Sequence, residues 1–170
     1  MKVVVTGGLG VGKSTAARAA MRMLGWERPA GFATHWGGAG RGAEVLFCEA
    51  WGGERWTMAR RIAGGGVDGA VPYELDVEFE RRAAEWLAGA RDGRPVAIDE
   101  LGMIELGAWE FVRAVEGVFC GGGPVLAVVQ ERALAGWKEA VPAMGGAVLV
   151  EVGVWNRDGV PELVARLLGG

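Results

Sequence analysis

Residues 6–15 read TGGLGVGKST. Four glycines lead into one lysine and two hydroxyl residues. Before them, Lys2 to Thr6 is a short, mostly β-branched run, which predicts a buried strand. After them, Ala17, Ala20, Met21 and Leu24 recur at i, i+3, i+4 and i+7, one face of a helix that Gly25 is suited to end. The loop therefore joins a strand to a helix, and residues 7–14 fit G-x-x-x-x-G-K-[ST], a phosphate-binding P-loop. Glycines let successive backbone N–H groups turn inward as an anion nest, and the helix start adds the positive end of its dipole. The expected phosphate ligands are Gly7, Gly8, Leu9, Gly10, Val11, Gly12, Lys13, Ser14 and Thr15. Lys13 is expected to reach the β- and γ-phosphates, Ser14 to offer its hydroxyl to Mg²⁺, and Thr15 to reach the α-phosphate. The chain has three lysines against fifteen arginines. A slim ammonium fits beside phosphate inside a glycine nest, where a planar guanidinium is too broad.

A second motif supplies acids. Val96-Ala97-Ile98-Asp99-Glu100 is an apolar strand ending in two carboxylates. Asp99 fits the Walker B position that holds the Mg²⁺ shell, and Glu100 is placed to orient and deprotonate an attacking water. Asp99-Glu100-Leu101-Gly102 also fits the D-x-x-G switch of GTPases. However, Asn156-Arg157-Asp158 is one residue short of N-K-x-D and lacks its lysine. An adjacent Asp-Glu pair fits NTPases with an acidic base better.

Elsewhere the pattern alternates. Residues 31–58 break into short apolar runs (GFATHW, AEVLFCEAW, RWTMA) separated by glycine turns, which predicts an antiparallel meander. A helix is expected around 76–90, capped by Asp76, with others at 108–119, 131–140 and around 160–167, where Asp158 is a candidate cap. Apolar strands are expected at 95–98, 124–129 and 147–152. This alternation argues for an α/β chain whose mainly parallel central sheet is covered on both faces, a three-layer sandwich. Right-handed crossovers put Thr6, Asp99, Gln130 and Val152 at one edge, where such sheets bind ligands. Gln130 could sense the γ-phosphate if its strand inserts between the P-loop strand and Asp99, and a solvated polar residue is the alternative. GGGVDGAVP, at 64–72, is read as a connection, and 1–170 as one domain.

Composition narrows the classes. Hydrophobic residues make up 51% and charged residues 23%, as in a globular chain, and a net charge of −3 gives no bulk field for nucleic acid. One histidine and two distant cysteines, Cys48 and Cys120, form no zinc spacing. No signal peptide or membrane-spanning run is apparent, so a cytoplasmic chain with no membrane partner, working as a monomer, is expected. Asn156 and Arg157 follow the last strand and are candidate contacts to the nucleotide. Trp155 beside them is read as a packing residue. Arg60 and Arg61 are candidate arginine fingers beside the solvated alternative, and Arg41 is read as an exposed turn residue.

Together, TGGLGVGKST (6–15), GFAT (31–34), IDELGMIEL (98–106), VLAVV (125–129) and WNRD (155–158) resemble a family of small nucleoside-triphosphatases first described from thermophiles. The resemblance implies a RecA-like P-loop fold, Mg²⁺ as cofactor, and hydrolysis of ATP, GTP and other nucleoside triphosphates to diphosphate and phosphate. Glu105 also matches the family's second motif. Alternatives on the same fold are a kinase for nucleosides, polynucleotides or other small molecules, which needs an acceptor pocket, and a nucleotide-binding switch with little turnover.

Overall fold

Alternating valines give the first strand two buried faces. In β1 (Lys2–Thr6), Val3 and Val5 face one side of the sheet and Val4 the other. The computed structural model describes residues 1–37, 43–63 and 72–169. Most of the GGAGRG turn, with Arg41, and residues 64–71 of the glycine-rich connection lie outside the described residues. The strands that follow are β2 (Ala30–Trp36), β3 (Val45–Ala50), β4 (Arg55–Arg61), β5 (Tyr73–Leu75), β6 (Val96–Leu101), β7 (Val125–Val129) and β8 (Val148–Glu151). They form one eight-stranded sheet in the order β5-β4-β3-β2-β6-β7-β1-β8. The segment β2-β6-β7-β1-β8 is parallel, while β3, β4 and β5 add antiparallel strands beyond β2.

Helices cover both faces. α1 (Lys13–Met23) and α5 (Val160–Gly169) bury Ala16, Ala17, Ala20, Met21, Val160 and Val164 against Val3, Val5, Leu126, Val128 and Val150. On the opposite face lie α2 (Phe79–Ala88), α3 (Trp109–Cys120) and α4 (Leu134–Ala140), which pack Phe79, Phe111 and Trp137 near Phe32, Ile98 and Ala127. Phe32, Phe79 and Phe111 meet at centroid distances of 5.3–6.4 Å. Burying each such ring stabilises by about 1.5–3 kcal/mol. Gly31, in β2, has φ +98°, and a Cβ there would overlap the carbonyl oxygen of Ala97 on β6. That carbonyl accepts the indole N–H of Trp51 at 2.8 Å, so the glycine of GFAT serves close strand approach. Lys2 ties the opposite end of the sheet, donating to the carbonyls of Gly121 and Gly123 at 2.5 and 2.6 Å.

The meander expected over 31–58 is present and longer. β2, its first strand, also pairs parallel with β6, and β5 extends it to Leu75. The expected 131–140 helix starts as a 3-10 turn over Glu131–Ala133 before α4. Asp76 lies three residues ahead of α2 and accepts the Glu78 N–H at 3.0 Å, while the Asp158 carboxylate is fully exposed before α5. No helix among the described residues is long and apolar enough to cross a membrane.

Candidate active site

The P-loop is pinned from both sides. Thr6, at the end of β1, donates its hydroxyl to the Val129 carbonyl at 3.0 Å, fixing the loop's entry beside β7. Gly7 has φ +142°, and a Cβ there would overlap the Val152 carbonyl oxygen, so the loop after β8 sits directly against the P-loop. Lys13 opens α1 and is buried. Its ammonium donates to the carbonyls of Gly7 and Gly8 at 3.0 and 2.9 Å, and lies 4.0 Å from Glu100 Oε2. A positive charge is therefore held at the mouth of the loop, facing the second acid of the Asp-Glu pair.

The topology brings that pair to the loop. β7 lies between β1 and β6, as Gln130 required. Ser14 donates its hydroxyl to Asp99 Oδ1 at 2.6 Å. Burial pushes the Asp99 carboxyl above its ordinary range, opposed by the Ser14 hydrogen bond and by Arg18, whose Nε lies 3.5 Å from Oδ2. These donors fit magnesium. An alcohol oxygen and a buried carboxylate are both hard ligands, and Mg²⁺ is held by few protein groups, with water and phosphate oxygens completing its shell. No group of three or more His, Cys, Asp or Glu gathers among the described residues, so the fit is to a shared cation rather than a protein cage.

A chain of contacts behind Glu100 was only partly legible. Gln130 Nε2 donates to Glu100 Oε1 at 2.6 Å, and Thr34 Oγ1 accepts the Glu100 N–H at 3.2 Å. The Gln130 amide rests on Gly102, where a Cβ would lie 2.8–3.0 Å from it. Gly102 is gripped through both backbone groups: its N–H donates to Glu105 Oε2 at 3.1 Å, and its carbonyl accepts the Trp137 indole N–H at 2.9 Å. Gly102→Ala is therefore expected to displace Gln130 rather than unfold the chain. Turnover should fall roughly tenfold, since misplacing a catalytic group by about 1 Å is costly. A matching melting temperature with reduced kcat checks this, and unchanged kcat would contradict it.

Glu105 is fully buried. Desolvation raises its pKa from 4.5 to about 7, opposed by the backbone amides of Glu105 and Gly102 and reinforced by the nearby Glu100 charge. A carboxyl with a raised folded pKa binds more protons folded than unfolded between those two values. Its contribution is present in full below pH 4.5 and is lost as pH rises through about 7. That loss amounts to up to about 3 kcal/mol. Denaturant titrations at pH 5 and pH 8 should show Glu105→Gln losing less stability than the wild type over this window. Equal losses would contradict the assignment.

The sites open on a cleft of about 620 Å³. Gly10, Gly12, Lys13, Ser14, Thr15, Asp99, Glu100 and Gln130 line one side, and Trp36, Leu46, Arg61 and Tyr73 the other. Gly7, Gly8 and Leu9 border an adjoining pocket of about 260 Å³. Val11 turns its side chain toward the core beneath the loop, leaving its backbone to serve a ligand. Asn156 and Arg157 line neither space. The Asn156 amide is used within its own loop, accepting the Gly153 N–H and donating to the Glu151 carbonyl, both at 2.8 Å. Arg157 is exposed, 3.8 Å from Asp158. The loop that carries them follows Val152, whose carbonyl lies against Gly7. The packing role expected for Trp155 does not hold: its ring lies against Gly153 with 80% of its surface exposed. Arg60 is exposed on β4 and absent from the cleft lining. Sequence reasoning missed Thr34, Arg132 and Arg18. Arg18 had a signal, since it stands four residues after Ser14 on the same helix face.

A family model described as NTPase matches residues 2–165. The chain belongs to the NTPase family. Among solved structures, the chain is similar to THEP1 from the hyperthermophile Aquifex aeolicus, with 27% identity, a TM-score of 0.77 and full coverage of both chains. It is also similar in fold to a human cancer-related nucleoside triphosphatase, with 23% identity, a TM-score of 0.76, and 99% of this chain and 98% of the other covered. No curated protein matches the chain. The α/β P-loop NTPase fold expected from the sequence is thus shared across the whole length with these two structures.

Proposed function

We propose that the chain is a Mg²⁺-dependent nucleoside-triphosphatase that hydrolyses ATP, GTP and related triphosphates to diphosphate and phosphate. The observation that carries this reading is the meeting of Lys13, Ser14, Asp99 and Glu100 on one wall of a single cleft. NTPase family membership supports it. The P-loop cradles the phosphates, and Lys13 shifts from the Gly7 and Gly8 carbonyls onto the β–γ bridge. Ser14 and Asp99 would hold Mg²⁺, which neutralises β- and γ-oxygens when bound. Glu100, steadied by Gln130 and Thr34, takes the proton of a water attacking the γ-phosphorus in line. The Pγ–O bond to the β-phosphate breaks as the new bond forms, and the diphosphate leaves with the electron pair. Asn156 and Arg157 are proposed to approach the nucleoside end from beside Val152.

The test is phosphate release from ATP, GTP, CTP and UTP with Mg²⁺ and no acceptor. No release above a protein-free blank sinks the reading. A second reading, phosphoryl transfer to a small hydroxyl acceptor, is favoured by one feature. The same cleft is also lined by Trp36, Leu46 and Tyr73, side chains that the phosphate chemistry does not use. Product that forms only when an acceptor nucleoside is added would select it.

A further inference from the structure

We propose that Arg132 is the arginine, supplied by this same chain, that neutralises the γ-phosphoryl group as it transfers. The inference rests on the hydrolase reading above. Phosphoryl transfer spreads negative charge over three equatorial oxygens, and a guanidinium at that point is a large contribution to rate. Lys13 serves the bridge side. The opposite side of the γ position, next to Glu100, needs a cation of its own.

Arg18 beside Asp99, Arg61 in the cleft lining and the sequence candidate Arg157 are poorly placed for it. Arg18 is used to hold Asp99, at 3.5 Å, and its guanidinium lies 5.9 Å from the Trp51 ring centre. Arg61 belongs to β4, three inter-strand steps from the β6 strand that carries Glu100. At ~4.8 Å per step, that is roughly 14 Å across the sheet. Arg157 stands outside the cleft.

Arg132 lies in the 3-10 turn that follows β7. It lines both the large cleft and the adjoining pocket, and Lys13, Glu100 and Gln130 do the same. Arg132 is thus on the boundary that encloses the Lys13–Glu100 pair. Its Nε donates to Gln130 Oε1 at 3.3 Å, while Nε2 of the same amide donates to Glu100 Oε1 at 2.6 Å. Gln130 is therefore a bracket with the general base on one side and a guanidinium on the other. The contact uses only Nε. No carboxylate among the described residues lies within ion-pair distance of Arg132. The two Nη groups are left to meet phosphate oxygens as a planar fork, which lysine cannot imitate. In the step, water oxygen bonds to the γ-phosphorus, its proton passes to Glu100, and the bridging bond breaks toward the diphosphate. Arg132 donates hydrogen bonds to an equatorial oxygen throughout and exchanges no proton.

The experiment compares the wild type with Arg132→Ala and Arg132→Lys in Mg²⁺-supported hydrolysis and in trapping of nucleoside diphosphate with aluminium fluoride. Both variants should lose roughly a hundredfold in kcat with KM changed only a few-fold. Added guanidinium ion at millimolar concentration should restore part of the Arg132→Ala rate and leave the wild type unchanged. Diphosphate binding should survive in the variants while the aluminium fluoride complex is lost. An Arg132→Ala enzyme that keeps kcat within about threefold of wild type overturns the inference. So does a variant that loses diphosphate binding and melts early without guanidinium rescue, which would make Arg132 a structural residue. If the wild type itself shows no turnover, the hydrolase reading falls and this inference falls with it. Wild-type turnover beside an unaffected variant overturns this inference alone.

Discussion

Lys13→Ala is expected to lower kcat/KM for phosphate release by about a thousandfold or more, because positioning and charge neutralisation are lost together. The Lys13 side chain is 8% exposed; its ammonium donates to the Gly7 and Gly8 carbonyls and lies 4.0 Å from Glu100. Without it, a triphosphate entering the loop meets the Glu100 carboxylate with no ammonium between them. The loss should therefore appear in nucleotide affinity as well as in turnover. Lys13→Arg should fail too, since the guanidinium fork does not fit where two loop carbonyls converge on one nitrogen. Isothermal titration with a non-hydrolysable triphosphate, run beside steady-state kinetics, separates the two components. A Lys13→Ala chain within tenfold of wild type in kcat/KM would remove the P-loop from the chemistry.

Glu100→Gln should behave differently. Turnover is expected to fall by about a hundredfold to a thousandfold, in the range of a lost general base, while nucleotide binding is kept or tightened. The amide has the shape of the carboxylate and can still accept the Gln130 N–H through its oxygen, so the Gly102–Gln130 arrangement should stand. One negative charge facing the phosphates is removed, which favours binding. Equal losses of affinity and kcat would mean that Glu100 builds the site rather than serving water.

Much of this was legible before any coordinates. The P-loop, its flanking strand and helix, and the Asp-Glu pair were readable because each is a local pattern with a fixed period or spacing. The mainly parallel sheet followed from alternation of apolar strands with helices, while its strand order did not. What lay beyond reach was set by contacts distant in sequence. β5 is three residues long and carries no periodicity of its own. Gly102 entered only as the glycine of the D-x-x-G match, and only the packed Gln130 amide shows why no side chain stands there. Trp155 was weighed by the general tendency of tryptophan to pack, and the tight turn held by Asn156 exposes it instead. Arg132, two residues after Gln130, had no motif to mark it.

The most direct measurement is hydrolysis of a nucleoside triphosphate in water enriched in heavy oxygen, with mass analysis of both products. Attack of a Glu100-activated water on the γ-phosphorus predicts a single heavy oxygen in the released phosphate and none in the diphosphate. Heavy oxygen in the diphosphate, or no labelled phosphate beyond that formed by Lys13→Ala, would contradict it.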